Sequence, residues 1–167
     1  DEHVRMAKYD VIGALLEDIA REMSVQGRDE EFKTELHFME LILEEILHFT
    51  HVDLNEKTLS VANFLKYLGF CCNAVKNYFK SRIVHEQAIL LMKNVFMYEA
   101  VRFKVHGYCY NNVGIALEHM NQFREAKVAY QRAVDVFDTV SDWESEDKKD
   151  KCINFATSCI ERINTRM

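Results

Sequence analysis

Glu45-Ile-Leu-His48 has the Glu-x-x-His spacing that sets a carboxylate and an imidazole on one helix face, where they can share a metal, and His51 lies a further turn on. A di-iron bundle needs a second such element and two more glutamates from other helices. No other histidine in the chain has a glutamate three residues before it. The spacing is therefore expected to be a solvated helix end, and the adjacent Cys71-Cys72 pair supports a zinc site no better. Cys109 with His106 or His119 is a thiol–imidazole pairing that the sequence allows. Nucleophilic catalysis also needs an orienting third group and an oxyanion hole, and no pattern here supplies them. There is no Gly-rich phosphate loop and no hydrolase elbow. The expectation is a protein without catalysis, cofactor or metal.

The composition sets the class. The 167 residues are 49% apolar and 29% charged, ordinary for a globular chain with a sizeable core. There is no proline and there are only five glycines, so long helices meet few breaks. The fold expected is all-α, about seven antiparallel helices in one stack over residues 1–167, with sub-units 29–106 and 107–167 within it. A net charge of −6 without a lysine or arginine cluster argues against nucleic acid. No apolar run approaches a membrane span and no signal segment opens the chain. Cys71, Cys72, Cys109, Cys152 and Cys159 are an odd set on helical patterns, read as reduced thiols of a cytoplasmic protein. A chain that opens on Asp1 is expected to be a piece of a longer one.

The elements follow from apolar spacing. A first helix over Glu2–Ser24 carries Val4, Ala7, Val11, Leu15, Ile19 and Met23 on one stripe. A second, Asp29–Thr50, is apolar around so much of its surface, with Phe38, Leu41, Ile42 and Leu47 widening the stripe, that a central place is expected for it. A third and fourth span Glu56–Lys80 and Val84–His106. In Gly107–Phe137 two amphipathic helices meet at the polar turn Asn121-Gln122, with Gly114, Ala126 and Ala133 where they cross. Gly114 is expected at a close backbone approach, because a helical glycine costs about 0.5–1 kcal/mol against alanine. Ser141-Asp-Trp-Glu144 has the form of a capping box before a last helix, Glu144–Thr165.

The fifth and sixth helices resemble a tetratricopeptide repeat (TPR) over residues 107–140. That family has a period of about 34 residues. Its aromatic, Leu-Gly, aromatic, Ala, aromatic and Ala positions read here Tyr110, Val113-Gly114, Phe123, Ala126, Tyr130 and Ala133, with Asp138 in place of the customary proline. Helices three and four resemble a degenerate copy, Leu65, Leu68-Gly69 and Cys72 echoing Tyr110, Val113-Gly114 and Leu117. Matching Ala88 to Ala126 makes the Gly-to-Ala interval 19 residues in one copy and 12 in the other, so helix three would carry two extra turns. The resemblance implies an inner surface lined by Tyr108, Asn111, Asn112, Ile115, Glu118 and His119 that binds a partner protein or peptide. The two-carboxylate clamp of chaperone-binding members is not implied, since Ile115 replaces its asparagine.

The same stretch is similar to an MIT domain, a three-helix module that takes a partner helix beside its third helix. Phe123, Ala126, Tyr130 and Ala133 would lie on the second helix, and Lys151 to Ile163 on the third. Two such domains in tandem occur in autophagy-initiating kinases, where they bind the kinase's adaptor. Helices two to four and five to seven would then be the two units. Either resemblance implies an interaction module in a scaffold, adaptor or regulatory role.

Overall fold

The computed structural model describes residues 1–167, and every regular element is helical. The α-helices are α1 (Glu2–Val25), α2 (Lys33–Leu47), α3 (Leu54–Ala74), α4 (Tyr78–Phe96), α5 (Lys104–His119), α6 (Phe123–Thr139) and α7 (Glu146–Asn164). Short 3-10 turns, Asp29–Phe32 and Met97–Arg102, precede α2 and α5. Side chains close several helix starts: Asp1, Asp53, Asn77 and Ser145 each accept from backbone amides of the first turn. The last cap is thus Ser145, four residues beyond the expected Ser141.

Three hairpins repeat one turn. Gly27, Lys76 and Asn121 take left-handed conformations, with φ of 71°, 64° and 61°. In each case the next amide returns to a carbonyl five residues back: Arg28 to Met23 at 2.8 Å, Asn77 to Cys72 at 2.8 Å, and Gln122 to Leu117 at 2.9 Å. This is the closing bond of a Schellman helix end. From Gly27 to Lys76 is 49 residues and from Lys76 to Asn121 is 45; α3–α4 and α5–α6 are closely packed pairs, whereas α2 leans on α3 more than on α1.

That register corrects the sequence reading. Seven residues before the left-handed position stand Ala20, Gly69 and Gly114, all buried. A Cβ on Gly69 would meet His85, and one on Gly114 would meet Tyr130, both partners being sixteen residues on. The counterpart of Ala126 is therefore Ser81, not Ala88, and the two glycine intervals are both 12. Helix three has no extra turns. It ends at Ala74 rather than Lys80, and Phe79, within the expected range of that helix, lies exposed in the first turn of α4.

The stack has two layers. α3 packs on α1 and on α5, while α4 fills the angle between α3 and α5, and α6 that between α5 and α7. One continuous core of 36 buried residues runs from Met6 to Ile163, with Phe32, Phe64, Tyr130 and Phe137 among its largest members. α2 lies at one edge rather than centrally, so Phe38, Leu41 and Leu47 face outward. The α1 stripe is also corrected. Met6, Gly13 and Ala20 are its buried positions, while Val4, Val11, Leu15 and Ile19 face away from α3 and are exposed.

Candidate functional site

α1, α3 and α5 lie side by side and present one groove of about 600 Å³. α1 contributes Glu17 and Arg21, α3 contributes Asn63, Lys66 and Phe70, and α5 contributes Lys104, Tyr108 and Asn112. Three- and four-residue spacings keep each set on one helix face. Glu144 and Lys148 close the end beside α7. Four cations thus face two carboxylates, on a protein whose net charge is −6.

Most of these charges are committed. Glu144 accepts from Lys104 at 2.9 Å and lies 3.5 Å from Lys148. The Lys104 hydrogen bond holds its carboxyl down at about 2. Arg21 pairs with Glu17 at 3.2 Å and Asp18 at 2.8 Å, and its guanidinium lies 4.9 Å from the Phe70 ring centre. Burial raises the Glu17 pKa against the pull of Lys66 and Arg21. Lys66 is different. Its ammonium lies 4.4 Å from the ring centre of Tyr67 and 5.3 Å from that of Tyr108, and it forms no salt bridge. Beside it, the Asn63 side chain makes no hydrogen bond within the chain.

The six residues expected on the inner surface divide. Tyr108 lines the groove, its ring edge-on to Phe137 and its hydroxyl 3.7 Å from Cys152 Sγ. Asn112 also lines it, but its amide is turned inward to His85. His85 Nδ1 faces the Ser81 carbonyl at 3.0 Å, so Nδ1 carries the proton and Nε2 accepts from Asn112 Nδ2 at 3.3 Å. Burial lowers the His85 pKa to about 4 and keeps the ring neutral. Glu118 is taken by α7, where Arg162 grips it with two nitrogens, Nε at 3.1 Å and an Nη at 2.5 Å. Asn111 and Ile115 lie half-buried, and Asn111 Oδ1 has no partner. His119 is exposed and stacks on Tyr78 with ring centres 4.3 Å apart. Glu17, Arg21, Asn63, Lys66, Phe70 and Lys104 escaped the sequence reading. The 49- and 45-residue register would have found some of them, because Glu17, Lys66 and Asn111 share one position and Asn63 and Tyr108 another.

The other candidate chemistry is engaged elsewhere. Glu45 bonds to Arg5 at 2.9 Å and to Tyr9, and His48 Nδ1 turns back to the Glu44 carbonyl. No group of three or more His, Cys, Asp or Glu side chains is placed to hold a metal ion. Cys109 lies in the core, where burial pushes its thiol up to about 12, and Cys72 reaches about 11 for the same reason. All five cysteines are free. No family model, curated protein or solved structure matches the chain. No helix is long and apolar enough to cross a membrane.

Proposed function

We propose that the chain is a TPR-like interaction module that binds an extended, carboxylate-bearing segment of a partner protein along the inner groove. Its output is assembly or regulation rather than turnover, in a scaffold or adaptor role. The observation that carries this reading is Lys66, a cation at mid-groove with aromatic faces on two sides and no salt bridge, although Glu17 lies near enough to feel its charge. The Asn63 amide beside it offers both a donor and acceptors to a peptide backbone, and Tyr108 is of the type that anchors interfaces.

Three observations favour a repeat array over two three-helix bundles. The same left-handed turn closes α1–α2, α3–α4 and α5–α6. Buried Ala or Gly recurs at one position in all three first helices. α4 packs on α5 as well as α3, across the boundary that a tandem MIT arrangement would place there. Selection from a displayed library of random peptides tests the reading. Enriched sequences are expected to be rich in Asp and Glu, and to be lost on the Lys66→Glu variant.

A further inference from the structure

α5 faces two ways. Tyr108 and Asn112 line the inner groove, whereas Tyr110, Val113 and Leu117 floor a second cleft, of about 380 Å³, on the other side of the helix. Its walls are Ile89 and Leu90 of α4 and Val128 of α6. Leu90 and Val128 are 59% and 52% exposed, large apolar side chains left in water on opposite walls. A further hollow of about 440 Å³ shares Lys93, Tyr110 and Arg132 with the first. It continues the trough to the Met97–Arg102 turn, where Met97 takes a φ of 53° and both Met97 and Tyr98 stand exposed. From Arg82 to Phe96 this trough follows α4 for about 20 Å, some four turns at 1.5 Å per residue.

The preceding helices carry a tie that this cleft lacks. Glu40 of α2 and Lys80 of α4 form an ion pair across a hollow of about 630 Å³. At the same steps from the next left-handed turns stand Ile89 and Glu125, and the tie is gone. What replaces it is a pair of uncommitted cations. Lys93 from α4 and Arg132 from α6 lie 5.7 and 5.8 Å from the Tyr110 ring centre, and neither forms a salt bridge. Arg82, by contrast, is paired with Glu86 at 3.0 Å.

We propose that this trough receives an amphipathic helix of a partner protein, which lays an apolar stripe between the exposed Leu90 and Val128, above the floor of Tyr110, Val113 and Leu117, and sets a carboxylate between Lys93 and Arg132. A helix fits because the floor residues recur at three and four positions and the walls are themselves helices, so the newcomer packs helix on helix. An acidic one fits because neither cation at the waist forms a salt bridge, the trough's carboxylates Glu86, Glu125 and Asp135 leaving both side chains unpaired. The proposal concerns a surface separate from the inner groove and stands without it.

Two synthetic peptides of about fourteen residues, close to four helical turns, test it. Both carry leucines three and four residues apart; one has glutamate at the flanking positions and the other lysine. Each is titrated into the full chain while the methyl signals of Leu90 and Val128 are followed by NMR. The glutamate peptide is expected to shift both signals and to bind about tenfold or more tighter than the lysine peptide. Lys93→Glu combined with Arg132→Glu should reverse that order, and Lys66→Glu should leave it unchanged. Both substituted residues are exposed, and circular dichroism checks that the double variant folds. If it does not, Lys93→Gln and Arg132→Gln take its place, and each must weaken the glutamate peptide. Unshifted methyl signals, equal affinities for the two peptides, or a preference that survives the substitutions would overturn the proposal.

Discussion

A Cβ on Gly114 would stand 2.8 Å from two carbons of the Tyr130 ring, closer than a side chain tolerates. Tyr130 is 1% exposed and held on every side, so the ring has little room to yield. Gly69 repeats the relationship with His85, where the added atom would fall 2.3 Å from the imidazole. Gly114→Leu is expected to overpack the crossing of α5 and α6 and to cost about 1–3 kcal/mol or more. Gly69→Ala should also destabilise despite its better helix propensity. Urea denaturation midpoints check both, and a midpoint unchanged in Gly114→Leu would refute the close crossing.

Two buried histidines make stability depend on pH. Burial lowers the pKa of His85 to about 4, and burial, helped by the Lys93 charge, does the same for His106. Their unfolded-state value is about 6.5. The unfolded chain therefore binds these protons first, and stability is full above about pH 6.5 and falls as pH drops towards 4. The two together are worth a few kcal/mol, on the order of 1–3 each. Denaturation midpoints measured between pH 7.5 and pH 4.5 should decline, and His106→Phe should flatten the decline. A midpoint flat across that range would mean that both rings charge freely in the folded chain.

Glu118 and Arg162 fasten α7 to α5. The carboxylate is 8% exposed, whereas the Arg162 side chain is about half exposed. Arg162→Ala leaves a nearly buried carboxylate without its partner, at an expected cost of about 1–3 kcal/mol. Exchanging both residues for Gln and Met should cost less than the single change, because no charge is then stranded. Hydrogen exchange should locate the weakening in α7. Protection there equal to that of the unaltered chain would mean the pair adds nothing to the docking of α7.

How much of this was legible in the sequence depends on what each residue needed to reveal itself. Helical content was, because a chain without proline and with apolar side chains three and four residues apart has few other ways to fold. Gly114 was, since an interior glycine calls for a close approach. The turn between α3 and α4 was not, because Lys76 adopts a left-handed conformation that favours glycine or asparagine, at a cost of roughly 1–2 kcal/mol. Missing it shifted the repeat register, and with it Lys66 and Asn63 dropped out of view. Val11 and Leu15 carry a correct helical pattern, yet an apolar stripe does not say whether a neighbour exists to cover it. Asn112 was placed on the right face, but only coordinates reveal that its amide serves His85. Asn112→Ala is thus expected to destabilise the fold by leaving His85 Nε2 without a donor, and is a poor probe of binding.

Binding in the inner groove is tested most directly by the dissociation constant of a library-selected acidic peptide, measured on the unaltered chain and on Tyr108→Ala and Lys66→Glu. Both side chains are partly exposed, and Lys66 has no salt bridge to lose. Lys66→Glu sets a carboxylate near Glu17, so circular dichroism checks that this variant folds, and Lys66→Gln replaces it if it does not. Loss of an anchor is expected to weaken binding by about 2 kcal/mol, some thirtyfold, while Lys93→Glu on the far side of α5 changes nothing. Peptides that bind Tyr108→Ala and Lys66→Glu as tightly as the unaltered chain would contradict the assignment of this groove.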